Sequence, residues 1–422
     1  MFGNDATSRV PQWRPMTPEL FKWFTSRVGA VALLVLLLGL VMPLAPNGTV
    51  AALLLFGLVT VSGPSVRHTI AGLPIELGIG LAVLAIWTVI SALWSPLDDP
   101  GKALRTVALG LPGLVFLAWL RLAVPQSRHL HRALMAAVVI ATVVLLFEGL
   151  SGAVLMRTLR GEDAASAAVN LERVGRGVVL FSILLWPAGI ALASRRPSAG
   201  AVLLVAGAIA VIILPMNAAS VGLLLGTATL IAVRIVPRTA LVALAIAFCL
   251  YAAFALWISR HVVTIPVLQA QQIELPTPWA HRIGIWNFAA EQAAAVAPLG
   301  AGFDASRAIG AREDVIEALR PQFGYAPAAL PLHPHNAVLQ VWLELGVVGV
   351  IGLGLVIVGV MHGLWRWPLS PWRRAAAAAA VVTALPPFLL NFGIWQAWWL
   401  ATLWLAVALT AGLLIRDDRI ET

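Results

Sequence analysis

His333-Pro334-His335-Asn336-Ala337-Val338-Leu339-Gln340-Val341-Trp342-Leu343-Glu344-Leu345-Gly346-Val347-Val348-Gly349 is where the chain turns from polar to apolar. Upstream lies a long polar stretch, from Ser259 to His335; downstream the apolar run continues to about residue 363. Such a run is long enough to span a bilayer, since a helix rises about 1.5 Å per residue and the hydrocarbon core is about 30 Å thick. The whole chain reads the same way. Of its 422 residues, 60% are hydrophobic and 11% charged, and the mean hydropathy is +0.91. Soluble domains carry about 25% charged residues. The composition therefore points to an all-α polytopic membrane protein and excludes a soluble globular one. Cys249, the single cysteine, lies in an apolar run, so neither a disulfide framework nor a cysteine-based metal site is available.

About 12 apolar runs are read as transmembrane helices, near 28–45, 47–62, 73–95, 103–124, 129–153, 176–194, 199–215, 217–235, 239–258, 336–363, 374–392 and 395–415. Their connections alternate in charge. One set carries Arg9, Arg14, Lys22 and Arg27; Arg67; Arg121, Arg128 and Arg132; Arg195 and Arg196; Arg234 and Arg238; Arg366, Arg373 and Arg374; and Arg416 and Arg419. The other set holds nearly all the loop carboxylates. By the positive-inside rule the basic set faces the cytoplasm, and so do both termini. The predicted organisation is a cytoplasmic segment 1–27 (a retained leader, not a cleaved signal peptide), spans one to nine over 28–258, a large outer loop 259–335, spans ten to twelve over 336–415, and a cytoplasmic tail 416–422. Most remaining basic residues fall in two outer segments, 154–175 and 259–335. The second exceeds the roughly 60-residue length within which loop charge steers orientation, so its arginines need another explanation. The cytoplasmic arginines form no pattern suggesting nucleic acid.

The large loop has structure of its own. Thr277 as N-cap and Pro278 at the first helical position predict a helix start. The helix runs to about Val296, and Pro298 with Gly300 ends it. Arg282 and Trp286 share one face at i, i+4. Asp304 is placed to cap a second short helical stretch leading to Arg307, Arg312 and Arg320. Arginine suits phosphate, because its planar fork makes two parallel hydrogen bonds and keeps its charge. Arg173 and Arg176 lie where the sixth span enters the outer face, with Gly175 and Gly177 allowing close approach of a ligand. The plainer alternative is that Arg173 and Arg176 are interfacial anchors that snorkel to lipid phosphates.

His335 precedes a helix N-terminus, where backbone N–H groups favour an anion. With an ordinary pKa near 6.5, and arginines nearby, it would accept a proton at neutral pH; the alternative is an interfacial histidine with satisfied hydrogen bonds. Pro334 predicts an extended His333, with the two imidazoles diverging and His333 in support. Asn336, Gln340 and Glu344 form a polar stripe at i, i+4, i+8 that should face a cavity or a partner helix. Asp98-Asp99 reads as a solvated turn or, less simply, as an acidic metal pair. Lys102 and Arg105 either add positive potential to an outer cavity or anchor the fourth span. Glu148 is an intramembrane carboxylate without an assigned partner. No Walker A, GxSxG, HExxH or DxD pattern occurs, which argues against nucleotide hydrolysis, serine hydrolysis and zinc chemistry.

On three pieces of sequence the chain resembles the bacterial O-antigen ligases, within the superfamily shared with O-antigen polymerases. These are Arg176-Gly177; Arg282-x-x-x-Trp286 with Pro298-Leu299-Gly300-x-Gly302; and His335-Asn336-x-x-Leu339-Gln340-x-x-x-Glu344-x-Gly346-x-x-Gly349. One departure is visible. Many relatives have a Ser-Arg pair at the start of the eighth span, where this chain reads Met216-Asn217-Ala218-Ala219-Ser220. The resemblance implies a GT-C-like bundle in the bacterial inner membrane, with a periplasmic loop and a site facing the periplasm. It implies an inverting glycosyltransferase without metal or cofactor. An undecaprenyl-diphosphate-linked glycan would be donor and a sugar hydroxyl of lipid A-core acceptor, for lipopolysaccharide biosynthesis. His335 would be the catalytic group. Arg176 and Arg282, then Arg173, Arg312 and Arg320, would hold the diphosphate, with His333, Asn336, Gln340, Glu344 and Trp286 in support. An O-antigen polymerase or a protein O-oligosaccharyltransferase would use the same donor. A lipid flippase or secondary transporter would also carry about twelve spans, but its polar residues should recur in two halves near the midplane; here they gather at one face.

Overall fold

The computed structural model describes residues 26–61 and 63–414. The basic residues Arg9, Arg14, Lys22, Arg416 and Arg419, the leader and the tail lie outside the described residues. Among the described residues nineteen α-helices follow in chain order: α1 Arg27–Val41, α2 Thr49–Val59, α3 Gly63–Ala71, α4 Ile75–Ser91, α5 Pro100–Ala108, α6 Gly110–Ala123, α7 Arg128–Ser151, α8 Val154–Arg160, α9 Ala167–Ala193, α10 Pro197–Ile212, α11 Asn217–Ile235, α12 Pro237–Trp257, α13 Ile265–Ala270, α14 Thr277–Ala295, α15 Ala305–Gly310, α16 Arg320–Phe323, α17 Ala337–Arg366, α18 Pro371–Leu390 and α19 Ala397–Leu414. Among the described residues there is no strand, only an isolated bridge between Val315 and Ala328. The chain is an all-α polytopic membrane protein.

Among the described residues eight helical segments are long and apolar enough to cross a bilayer: Pro100–Gln126, Arg128–Ser151, Ala164–Ala193, Asn217–Ile235, Pro237–Val262, Ala337–Arg366, Pro371–Leu390 and Ala397–Leu414. Arg27–Val41, Pro46–Val59, Ile75–Ser91 and Pro197–Ile212 are shorter apolar helices. Together they fall on the apolar runs of the sequence. The fourth run is not one continuous helix; it divides into α5 and α6 at Leu109-Gly110. The sixth starts well before Arg176, because α9 begins at Ala167.

Apolar burial separates helices from water, but lipid is as apolar as leucine, so close backbone approach must hold helix to helix. Two seams show this. α11 lies along α18, whose Ala375 to Ala380 tract is buried. A Cβ at Gly222 would collide with the Thr383 carbonyl. α4 lies along α17, where a Cβ at Gly359 would come within 2.6 Å of the Leu77 Cα.

Contacts sort the connections onto two ends of the bundle. At one end Thr49 Oγ1 donates to the Trp398 carbonyl at 2.9 Å, Ser95 Oγ to the Phe303 carbonyl at 2.6 Å, and Trp94 Nε1 to the Gly300 carbonyl at 3.1 Å. At the other end Arg374 Nε reaches the Leu364 carbonyl at 2.8 Å and Arg234 lies over the Trp372 ring. Segment 258–336 therefore sits on the same end as the turns 42–49, 92–99 and 391–396. It begins with a π-turn, Ile258–Val262. Asn287 of α14 ties this turn down, donating to the Ser259 and Val263 carbonyls at 2.7 and 2.8 Å.

Candidate functional site

The site is built where segment 298–336 locks onto the first turns of α17. Asn336 caps that helix, its Oδ1 accepting from Val338 and Leu339 N–H at 3.1 and 3.2 Å, while its amide donates to Tyr251 Oη at 2.7 Å. Gln340 accepts from Ile394 N–H at 3.0 Å and donates to Glu344 at 3.1 Å. Glu344, fully buried, also accepts from Asp304 N–H at 3.0 Å, Ser306 N–H at 3.3 Å, Ser306 Oγ at 2.5 Å and the Trp395 indole. The polar stripe of the sequence thus meets partner elements and holds them; its side chains are already satisfied. Helix α17 breaks at Gly346, with φ 60° and ψ −155°. The backbone of Pro298 to Gly302 lies in that break: Ala301 and Gly302 N–H donate to the Leu343 and Glu344 carbonyls at 2.8 and 2.9 Å, and Val347 N–H to the Pro298 carbonyl at 2.9 Å. The Pro-Leu-Gly-x-Gly and His-Asn…Gln…Glu…Gly patterns are therefore two halves of one clamp.

His335 projects from the rim of this clamp. Its φ of 51° is left-handed, a region costly for a residue with a Cβ. That conformation folds the chain back, so the two imidazoles converge, with ring centroids 4.3 Å apart. The divergence expected from Pro334 is corrected by this turn. Two hydrogen bonds hold His335. Its N–H donates to His333 Nδ1 at 3.2 Å, and its own Nδ1 meets the Asn391 carbonyl at 2.9 Å. A carbonyl only accepts, so Nδ1 carries the proton and a neutral His335 presents its lone pair at Nε2. Burial pulls its pKa down; the Asn391 bond opposes this, and Arg282 and His281 add to the lowering. Burial, then His335 and Arg307, hold His333 down at about 3. Both rings are therefore neutral at neutral pH.

The arginines divide into engaged and open ones. Arg282, on α14, is half-buried, stacks over Trp279 at 5.3 Å and makes no ion pair among the described residues. Burial lowers its pKa, yet a guanidinium stays charged at neutral pH. Its aromatic neighbour is Trp279 and not the Trp286 expected from i, i+4 spacing; Trp286 packs into the apolar contact of α14 with α12 and α17. Arg176 is exposed and unpaired among the described residues, but it lies inside α9 and does not open it. Gly177 beside it is required by packing: a Cβ there would come within 2.8 Å of Met42 and Pro43. The glycines thus do not leave room for a ligand as expected. Gly175 faces Met216, whose sulfur accepts from Asn391 Nδ2 at 3.2 Å. Through these contacts the Arg176 region of α9 and His335 both reach Asn391. Arg173 donates to both Glu162 oxygens at 3.1 Å and to Asn170. Arg320 is paired with Glu317, and Arg312 is exposed.

Several neighbours carry no sequence signal that ties them to His335. Arg307 donates through Nε to the buried Asp304 at 2.9 Å, and Lys102 reaches the same carboxylate. Asp304 holds the N-cap position of α15 without making the capping bond expected of it. His281 adjoins Arg282 in sequence and bonds the Ala328 carbonyl at 2.9 Å. The turn 391–396 touches both site histidines. Its only sequence signal is the polar pair Asn391 and Gln396 between the last two spans. Other expectations resolve locally. Asp99 caps α5 through Lys102 N–H at 2.8 Å. Glu148 accepts from the Leu155 and Met156 amides at 2.8 and 2.9 Å. Thr277 is the first residue of α14 and not its cap. Among the described residues no group of three or more His, Cys, Asp or Glu side chains is placed to hold a metal ion.

Residues 200–354 match the family model described as O-antigen ligase. This interval includes Arg282, His335 and the clamp; Arg176 and the 391–396 turn lie outside it. Relatives named "Putative polysaccharide ligase" are similar over much of the chain. One from Rickettsia typhi is 26% identical over 296 residues, 69% of either chain. One from Rickettsia felis is 25% identical over 292 residues, also 69% of either chain. A third, from Rickettsia prowazekii, is 31% identical over 140 residues, 33% of either chain. By these matches the chain is similar to the O-antigen ligase family over residues 200–354 and to the polysaccharide ligase relatives over about two thirds of its length.

Proposed function

We propose that the chain is a glycosyltransferase that moves a glycan from a lipid-linked diphosphate, undecaprenyl diphosphate, onto a sugar hydroxyl of lipid A-core. The observation that carries the reading is His335. Its Nδ1 proton is fixed on the Asn391 carbonyl, its Nε2 lone pair is free, and the cationic Arg282 lies close enough to lower its basicity. In the proposed step the acceptor hydroxyl gives its proton to His335 Nε2. Its oxygen bonds to the anomeric carbon as the bond from that carbon to the diphosphate oxygen breaks. The electron pair leaves with the lipid diphosphate, and attack opposite the leaving group inverts the configuration. His335 then releases its proton to water. Arg282 and Arg176 stabilise the departing charge, with Arg312 as an outer contact. A diphosphate is already a good leaving group, so positioning and charge compensation suffice in this scheme without metal.

The loop end of the bundle is proposed to face the periplasm across the inner membrane, with both termini cytoplasmic. The connections at the opposite end carry Arg67, Arg121, Arg128, Arg132, Arg195, Arg196, Arg234, Arg238, Arg366, Arg373 and Arg374, which supports that orientation. The test is expression in a ligase-deficient host, followed by a lipopolysaccharide gel and analysis of lipid-linked glycan. Wild type should restore long-chain lipopolysaccharide; His335→Ala should leave bare core and accumulated lipid-linked polymer. Longer lipid-linked chains without ligation would instead indicate a polymerase.

A further inference from the structure

We infer that Gln396 is a positioning residue for the proposed transfer, acting through His333 to hold His335 in its proton-accepting geometry. This rests on the reading of His335 as the base. The backbone N–H of His335 donates to His333 Nδ1 at 3.2 Å. Nδ1 must then carry a lone pair, and a neutral imidazole must place its proton on Nε2. The Gln396 amide nitrogen faces that Nε2 at 3.5 Å, so two donors would meet. Gln396 Oε1, meanwhile, is buried without a partner. Turning the amide, whose nitrogen and oxygen are nearly alike in shape, places Oε1 on the His333 proton, pairing those two groups and moving the amide nitrogen to where the oxygen stood. Gln396 is itself anchored, donating through N–H to the Gly393 carbonyl at 3.2 Å and accepting Trp399 and Leu400 N–H at 2.9 and 3.0 Å. Gly393 lets the turn lie against His333, since a Cβ there would come 2.8 Å from the ring.

Gln396 thereby selects one His333 tautomer and keeps that ring uncharged. The surroundings agree. From α15, Arg307 faces His333; its carboxylate partner Asp304 is already shared with Lys102. From α14, Arg282 and His281 face His335. From α17, Gln340 and Glu344 hold the turn 391–396 through Ile394 and Trp395. Among the described residues no carboxylate is hydrogen-bonded to His333. A second proton on His333 would turn Nδ1 into a donor against His335 N–H. It would also set a cation beside the His335 ring, whose centroid is 4.3 Å away.

The test is the pH dependence of kcat/KM for glycan transfer by purified, bilayer-reconstituted protein. Gln396→Glu offers His333 a carboxylate and stabilises its charged form. A charge within hydrogen-bond reach moves a pKa by about one to three units, so His333 should take up its proton at higher pH than in wild type and draw the acid limb upward, with activity recovering to within about tenfold of wild type on the alkaline side. In a His333→Asn background the limb should stay put, because asparagine accepts the His335 N–H yet cannot be protonated. A role in folding alone would lower activity at every pH. A limb unmoved by Gln396→Glu, or moved equally without His333, overturns the inference. Should Gln396→Glu not fold, Gln396→Met, which cannot accept the His333 proton well, should lower kcat with KM unchanged, and His333→Asn and His333→Leu test the link from His333 to His335. His333→Asn should stay within about tenfold of wild type and His333→Leu fall about a hundredfold, because only leucine leaves the His335 N–H without an acceptor; equal losses overturn the role. Wild type that transfers no glycan overturns the proposed function and this role with it. Active wild type with inactive His335→Ala isolates any failure to Gln396.

Discussion

Gly346→Ala should undock the loop from the first turns of α17. The position has φ 60° and ψ −155°, a region essentially reserved for glycine, where a side chain costs about 1–3 kcal/mol. The new Cβ would also collide with the Pro298 carbonyl and come within 2.5 Å of the Leu299 carbonyl carbon and 2.8 Å of Gly300 N. Those are backbone atoms, which cannot swing aside as a side-chain end does, and relieving such overpacking costs about 1–3 kcal/mol more. The two terms sum to about 2–6 kcal/mol, or from about thirtyfold to about ten-thousandfold in the ratio of docked to undocked clamp. Amide hydrogen exchange reads that ratio directly. The Ala301, Gly302 and Val347 amides are bonded across the clamp, so their exchange should quicken by that factor, while amides in the α11–α18 seam should not change. Glycan transfer should fall in parallel, because His335 projects from the clamp's rim. Exchange at the three amides accelerated by less than about threefold would refute the reasoning.

Glu344→Gln should lower thermal stability by about 1–3 kcal/mol per donor left unsatisfied, since the new amide has one acceptor oxygen for the donors Glu344 now receives; an unchanged melting temperature would refute its role as clamp. Transfer should persist below pH 6.5, because the pKa of His335 is lowered and the base form survives there. Arg282→Gln removes one cause of that lowering, so the pKa rises and the acid limb of residual activity should move up in pH; movement downward would contradict the assignment. Arg176→Ala should change stability by no more than about 0.5 kcal/mol, as expected of an exposed, unpaired side chain, while raising KM for the lipid-linked donor; unaltered KM would remove Arg176 from the site. Asn170, Arg160 and Arg173 hold the Glu162 carboxyl down at about 2. Its contribution to stability is complete above pH 4.5 and is lost as pH falls through about 2; Glu162→Gln should flatten that part of the melting profile, and an unchanged slope would show that the network is inert.

The spans were legible because an apolar helix in lipid announces itself by composition alone. Their ends were less so. The residues from Ala167 to Gly175 are too polar for an apolar window, so the first turns of α9 carry no span signal and Arg176 looks like a helix opening. α3 and α8 are short helices within connections, where neither length nor apolarity marks them. The polar stripe Asn336, Gln340 and Glu344 was visible, but sequence could not show that its partners were Tyr251, Ile394, Trp395 and Ser306, residues distant in the chain. His335 was found by its place at a polar-to-apolar boundary. Its tautomer was not, because that depends on a carbonyl contributed by Asn391. Arg307 and His281 lay in plain view but carried no spacing that tied them to His335; only the folded loop brings them near.

The most direct test of the central claim uses purified protein in a bilayer, a labelled glycan on undecaprenyl diphosphate, and lipid A-core as acceptor. Wild type should join glycan to acceptor and release lipid diphosphate in equal amounts, and His335→Ala should do neither at a measurable rate. Transfer by His335→Ala at the wild-type rate would contradict the claim.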